Sequence, residues 1–201
     1  MKLVMIIGPQ AVGKMSVGRE LEGMIDARLL FNHETLDLFA KFLGYGKETF
    51  RLSDETRKAL FRAFAENQGS NLTDGIIFTV VVAFNQEGDH RFLWEVSDLF
   101  TGAGGDVYII ELEAALETRL ARNTMESRLE AKPSKRNLEF SRNELLRSHE
   151  KHRLHSLPGE VEKTVPEARY LRLDNNGITA REAAVRIASF IKAEQTKTGP
   201  A

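Results

Sequence analysis

Five short apolar runs, each followed by a longer segment of helical period, constrain this chain more than any other feature. The runs are Leu3 to Ile7, Leu29 to Asn32, Ile76 to Phe84, Val107 to Leu112 and Tyr170 to Leu173. Within the third, Ile76-Ile77-Phe78-Thr79-Val80-Val81-Val82 is apolar on both faces but for one threonine. A central strand covered by helices on both sides has to look like this. Between the runs apolar residues recur three or four apart, as Val17, Leu21 and Met24, then Leu36, Phe39 and Leu43, then Leu60 and Phe64. Each set predicts a helix with one buried stripe. Strands and helices in alternation predict an α/β chain with a mainly parallel sheet. The last helix is the best delimited: Thr179-Ala180-Arg181-Glu182 reads as a capping box, Ala184, Ala188 and Ile191 as its inner face, and Gln195 to Ala201 as a fraying tail.

Composition narrows the function classes. The chain has 201 residues with 28 basic and 29 acidic side chains, so it lacks the global positive field of a dedicated nucleic-acid binder. It holds no run of about 18 apolar residues that could span a membrane. The stretch Met1 to Ile7 is brief and stops at Gly8-Pro9 with no small-residue cleavage site, which reads as a buried strand rather than a signal peptide. With no cysteine there is no disulfide, thiolate metal site or thiol nucleophile, which fits a cytoplasmic protein. No internal repeat or low-complexity linker interrupts residues 1–201, so a single domain is expected.

The chemistry concentrates in Gly8-Pro9-Gln10-Ala11-Val12-Gly13-Lys14-Met15-Ser16, a G-x-x-x-x-G-K pattern placed directly after a strand and opening a helix. Gly8 and Gly13 permit backbone angles and a close approach that let successive N–H groups face phosphate oxygens. The helix starting near Gly13 adds the positive end of its dipole, and Lys14 adds a formal charge able to follow a transferred phosphoryl group. All nine residues from Gly8 to Ser16 are therefore candidate nucleotide contacts. The departure from the usual pattern is Met15, which stands where a Ser or Thr hydroxyl normally ligates magnesium. Ser16, one residue on, is the remaining hydroxyl and the only candidate protein contact to the metal. Lysine, a non-hydroxyl residue and then a hydroxyl is an order similar to the G-K-G-T loop of adenylate kinases, a resemblance that implies magnesium held mainly by phosphates and water.

A second feature is local charge. The segment Glu117 to Arg153 carries ten basic side chains against six acidic. It is broken by Lys132-Pro133-Ser134-Lys135 and holds a single ring, Phe140, too few aromatics for base stacking along a nucleic acid. A solvated pair of helices laced with salt bridges would also look like this. Together, the strand and helix order, the G-x-x-x-x-G-K-M-S loop, the Leu30-Phe31-Asn32-His33 strand end and the Lys132-Pro133-Ser134-Lys135-Arg136 stretch resemble an uncharacterised, shikimate-kinase-like branch of the P-loop small-molecule kinases, related to the nucleoside-monophosphate kinases.

That resemblance implies a three-layer α/β/α domain with five parallel strands in the order 2-3-1-4-5 and a small helical lid over about residues 122–138. It implies ATP and magnesium as cofactors, a small-molecule acceptor, Lys14, Arg122 and Arg128 as the catalytic cations, and Arg119 against the adenine or the phosphates. Asn175, in the polar turn Asp174-Asn175-Asn176-Gly177, would border the adenine. On the acceptor side shikimate kinases carry carboxylates at the end of the second strand, where this chain has Asn32. The role then falls to His33, Glu34 or Asp37, with Arg57 a candidate clamp for an anionic acceptor and an exposed helix arginine the plain alternative. The third strand has no aspartate at its expected end, Ala83-Phe84-Asn85, and the next acids are Glu87 and Asp89. A nucleotide-binding module that kept the loop but lost transfer chemistry is the competing function.

Overall fold

A computed structural model describes residues 1–124 and 137–197. Five parallel strands form one sheet in the order β2-β3-β1-β4-β5: β1 (Lys2–Ile7), β2 (Arg28–Phe31), β3 (Gly75–Thr79), β4 (Asp106–Glu113) and β5 (Arg169–Asp174). Among the described residues the helices are α1 (Lys14–Glu22), α2 (His33–Leu43), α3 (Lys47–Glu66), α4 (Glu87–Gly102), α5 (Leu116–Asn123), α6 (Leu138–Lys151), α7 (Glu160–Thr164) and α8 (Ala180–Lys197).

Strand β1 is the axis of the fold. All six of its residues are buried, and alternate side chains feed two cores. Leu3, Met5 and Ile7 join Phe61, Phe78, Leu93 and Phe100 beneath α3 and α4, while Val4 and Ile6 join Val17, Leu21, Ala184 and Ile187 beneath α1 and α8. This period-two division places helices on both faces of the sheet, the three-layer arrangement. The first layer is rich in rings, with Phe61 packed edge-on against Phe78 at 5.2 Å and against Phe100 at 6.2 Å. The strand order reverses at β1, so the crevice beyond the carboxyl ends of β1, β3 and β4 is where a ligand of such a sheet binds.

Several sequence expectations shift. The third strand is shorter than the run Ile76 to Phe84: the Val80 amide still donates to Ile6 O at 3.2 Å, but the Phe84 amide donates to Arg153 O at 2.7 Å, so the chain has left the sheet to pair with the end of α6. Apolar character persisted there because Val82 and Phe84 stay in the core without a ladder. Asn32 follows β2 as the first cap position of α2 rather than belonging to the strand. Met24 lies beyond the end of α1, and Leu60 and Leu43 are exposed rather than striped inward, Phe61 and Phe64 filling the core from α3 instead. At α8 the capping box forms as read: Thr179 N–H donates to Glu182 Oε2 at 2.7 Å and Glu182 N–H to Thr179 Oγ1 at 3.2 Å. Helix α8 runs through Lys197, so 195–197 are helical rather than frayed, because Lys197 pairs with Glu194 across the last turn. The lid expected over 122–138, with Arg128 in it, lies mostly outside the described residues. No helix of the described residues is long and apolar enough to cross a membrane.

Candidate active site

The loop between β1 and α1 is fixed from outside as well as by its own backbone. Gly8 has φ 134°, and a Cβ there would come within 2.4 Å of Leu112 O on β4, so only glycine fits. Gly13 has φ 111° and caps α1 with no side-chain hydrogen bond. The first intrahelical bond runs from Val17 N–H to Gly13 O, so the amides of Lys14, Met15 and Ser16 have no acceptor within the helix. No acidic residue occupies the first turn. A helix start with no side-chain cap and no competing carboxylate is a candidate anion site.

Two polar side chains from the far side of the sheet pin the Val12 carbonyl: Arg122 Nη1 donates to it at 3.0 Å and Asn175 Nδ2 at 2.7 Å. Arg122 Nη2 also donates to Asn175 O at 2.8 Å. Because the peptide is planar and trans, tethering that carbonyl turns the Gly13 N–H the opposite way, away from both side chains. Ala11, at φ 61°, is the only non-glycine residue with positive φ among those described. The Lys14 ammonium donates to Gly8 O at 2.6 Å and Pro9 O at 2.8 Å, folded back onto its own loop.

A cavity of about 570 Å³ opens from this loop. Gln10 to Val17, Arg122, Asn175 and Ala180 line it around the loop. The other end takes Asn32, His33 and Leu36 from the start of α2, Tyr45 and Phe50 from the α2–α3 turn and α3, Val81 after β3, and Phe140 with Glu144 from α6. His33 Nδ1 lies 3.4 Å from Asp37 Oδ1, one helical turn on, and Tyr45 Oη donates to the same carboxylate oxygen at 2.7 Å.

The expected site residues therefore separate. Gln10, Ala11, Val12, Gly13, Lys14, Met15, Ser16, Arg122, Asn175 and His33 line one cavity, with Asp37 behind His33. Gly8 and Pro9 shape the loop and accept from Lys14 without lining the space. Arg119, about one turn before Arg122 on α5, does not line it. It is 1% exposed, and its Nη2 donates to His149 Nδ1 at 3.2 Å, which fixes that nitrogen as the unprotonated one. Burial lowers its pKa, opposed by Glu117. Glu34 faces α1 instead: burial and the Glu22 charge raise its pKa, opposed by Arg19. Arg57 is buried rather than exposed, its Nε donating to Ser53 O at 3.1 Å and its guanidinium lying 5.6 Å from the Phe78 ring centroid, and it does not line the cavity. Burial lowers its pKa, opposed by Asp54.

Sequence reading missed the rings Tyr45, Phe50 and Phe140 at the cavity mouth. Nothing in their spacing distinguishes a ligand wall from a core stripe. It also missed Glu111, fully buried on β4, whose carboxylate accepts from Ser156 N–H at 3.0 Å, Ser156 Oγ at 2.6 Å and Tyr170 Oη at 2.6 Å. Burial alone would raise its pKa, but these bonds and the His155 ring 3.7 Å away outweigh it and hold it at about 2. Glu111, Glu113 and His155 lie close together, yet Arg172 already pairs with both carboxylates, at 3.7 and 2.5 Å, so the cluster is a structural ion network.

A magnesium ion would find few donors here. Met15 is buried, the end of β3 offers Thr79-Val80-Val81 with no acid, and Asp89 is committed to capping Ala83 N–H at 2.7 Å. On the cavity wall Ser16, Asn32 and Tyr45 supply neutral oxygens, and Glu144 of α6 a carboxylate. That set suits an ion brought in on the phosphates of a nucleotide, with protein contact secondary.

No known family profile matches the chain, and no curated protein matches it in sequence. Solved structures do. The chain is similar to the shikimate kinase of Acinetobacter baumannii bound to shikimate, with TM-score 0.57 and 17% identity over 96% of this chain and 94% of that one. It is also similar to a gluconokinase of Sinorhizobium meliloti, at TM-score 0.50 and 14% identity over 96% of each chain. The tunicamycin resistance protein of Deinococcus radiodurans matches at TM-score 0.52 and 16% identity, again over 96% of each. The chain has the fold of the P-loop small-molecule kinases.

Proposed function

We propose that this protein is an ATP-dependent kinase that transfers the γ-phosphoryl group to a hydroxyl of a small molecule. The observation that carries the reading is the single cavity joining an uncapped helix start and Lys14 at one end to the His33–Asp37 pair at the other. The acceptor oxygen forms its bond to the γ-phosphorus as the bond to the β,γ-bridging oxygen breaks, that electron pair leaving with ADP. His33, oriented by Asp37, takes the hydroxyl proton. The loop amides hold the β- and γ-phosphates, and Lys14, drawn off Gly8 O and Pro9 O by the incoming charge, neutralises the equatorial oxygens. Arg122 and Asn175 keep the Val12–Gly13 peptide in its receiving orientation and border the base. Magnesium, carried by the phosphates and water with Ser16 as its protein contact, would supply further charge neutralisation.

Met15 and the acid-free end of β3 favour a second reading, a nucleotide-binding module with no transfer step. One experiment separates them: unfolding midpoints with ATP and magnesium, and ADP release across an acceptor panel, for wild type and Lys14→Ala. A kinase shows a nucleotide-dependent rise that Lys14→Ala loses and ADP release that depends on an acceptor. A binding module shows the first without the second. No rise with any nucleotide overturns both.

A further inference from the structure

The hairpin of α2 and α3 is built inside out around its turn. Its two helices are joined by buried hydroxyls: Thr35 Oγ1 lies 2.6 Å from Ser53 Oγ, and Thr49 Oγ1 donates to Gly44 O at 2.6 Å, all three side chains being buried. Phe61 and Phe64 at the far end of α3 fill the core, but around the turn Leu38, Phe42, Leu43, Tyr45 and Phe50 are all about half exposed or more. Burying polar groups while leaving rings in water inverts the usual division of an amphipathic helix pair. Two of those rings, Tyr45 and Phe50, line the same cavity as Phe140 of α6, which is also half exposed. Leu36, Val81 and Met15 continue the apolar lining inward.

Charge points in the same direction. Among the described residues the only cations lining the cavity are Lys14 and Arg122, both at the phosphate loop. Arg57, the arginine best placed in the sequence to clamp an anionic acceptor, is bound to the backbone of its own helix and packed over Phe78. Hydrocarbon and ring surface recognises hydrocarbon and ring surface, each ring burying a large area on contact.

Resting on the kinase reading, we infer that the acceptor is an alcohol carried on a largely apolar, ring-sized body, and not a small polyhydroxy acid or a nucleoside monophosphate. Its hydrophobic body lies between Tyr45, Phe50 and Phe140, and its hydroxyl reaches His33 beside the γ-phosphate.

The test uses N-phenyl-1-naphthylamine, an uncharged aromatic probe that fluoresces on leaving water, titrated into the full chain loaded with a non-hydrolysable ATP analogue and magnesium. The expected result is one saturable site, weakened at least fivefold by Phe50→Ser and by Phe140→Ser and unchanged by Trp94→Ser, an exposed ring on α4 outside the cavity. Shikimate, gluconate and AMP neither displace the probe nor raise ADP release above the rate without acceptor. Absence of a saturable site, wild-type affinity in either cavity variant, or phosphorylation of any of the three anions overturns the inference. Nucleotide binding is read separately, by the unfolding midpoint without probe, so a failure of the kinase reading shows there and a failure of the acceptor assignment does not. The three substituted rings are about half exposed, so these variants fold.

Discussion

The two ends of the cavity are made by different means. At the end proposed for the phosphates the wall is built by backbone: Gly8 pressed against Leu112 O, an α1 without a side-chain cap, and a Val12 carbonyl held by Arg122 and Asn175. At the end proposed for the acceptor it is built by side chains: three half-exposed rings and a His33–Asp37–Tyr45 cluster mounted on a hairpin that touches the sheet mainly through α3. Every nucleotide offers the same phosphates, so a fixed cradle of amides serves; acceptors differ, so their recognition resides in side chains that can change without disturbing the fold. Substitutions at the first end should damage the chemistry or the fold, and those at the second should change what is bound.

The sharpest way to break this comparison is Lys14→Ala. It should lower kcat on the order of a hundredfold or more, as removal of one preorganised charge at developing negative charge does, while leaving the unfolding midpoint without nucleotide nearly unchanged. A kcat within a few fold of wild type in steady-state assays would mean that the loop does not carry the chemistry. Next is Gly8→Ala, which drives a Cβ into Leu112 O at 2.4 Å and should cost on the order of 3 kcal/mol in denaturant unfolding. The same substitution at Gly44, where nothing lies within 4 Å, is strained by its φ of 66° alone and should cost about 1 kcal/mol.

At the acceptor end, Tyr45→Ala should raise the acceptor KM about tenfold through lost ring contact, with nucleotide affinity unchanged. His33→Asn should instead lower kcat with nucleotide affinity unchanged in steady-state assays, since the ring is the proposed acceptor of the hydroxyl proton. A third region provides a control outside both ends. Glu111 is held at about 2, below its unfolded value of 4.5, so it contributes stability above pH 4.5 that is lost as pH falls toward 2. Glu111→Gln should be less stable at pH 7 and lose less of its midpoint across that acid window, with no effect on acceptor preference.

The same contrast explains what the sequence made legible. The β1–loop–α1 unit could be read residue by residue because its signals are local: an apolar run, two glycines at fixed spacing, a lysine and a helical period. The capping box at Thr179 and Glu182 is equally local. The strand order followed from the resemblance and not from periodicity. The acceptor end was obscured because a ring that meets a ligand and a ring that meets the core have the same spacing: Leu43 was placed inside and is exposed, while Tyr45 and Phe50 drew no attention. Arg57 and Arg119 were obscured for another reason. Both are buried cations, and burial of an arginine depends on partners supplied by the local turn, Ser53 O for one and His149 for the other. The end of β3 was misplaced because the apolar run continues after the strand has turned away to meet Arg153.

The central claim is that nucleotide phosphates dock on the loop at the start of α1. Amide chemical shifts recorded while adding a non-hydrolysable ATP analogue with magnesium test it most directly. The account predicts the largest changes at Ala11 to Ser16, smaller ones at Asn175 and Asn176, and none at Glu111 or Ser156. Changes centred on the Glu111–His155 network, or a spectrum unmoved by saturating nucleotide, would contradict it.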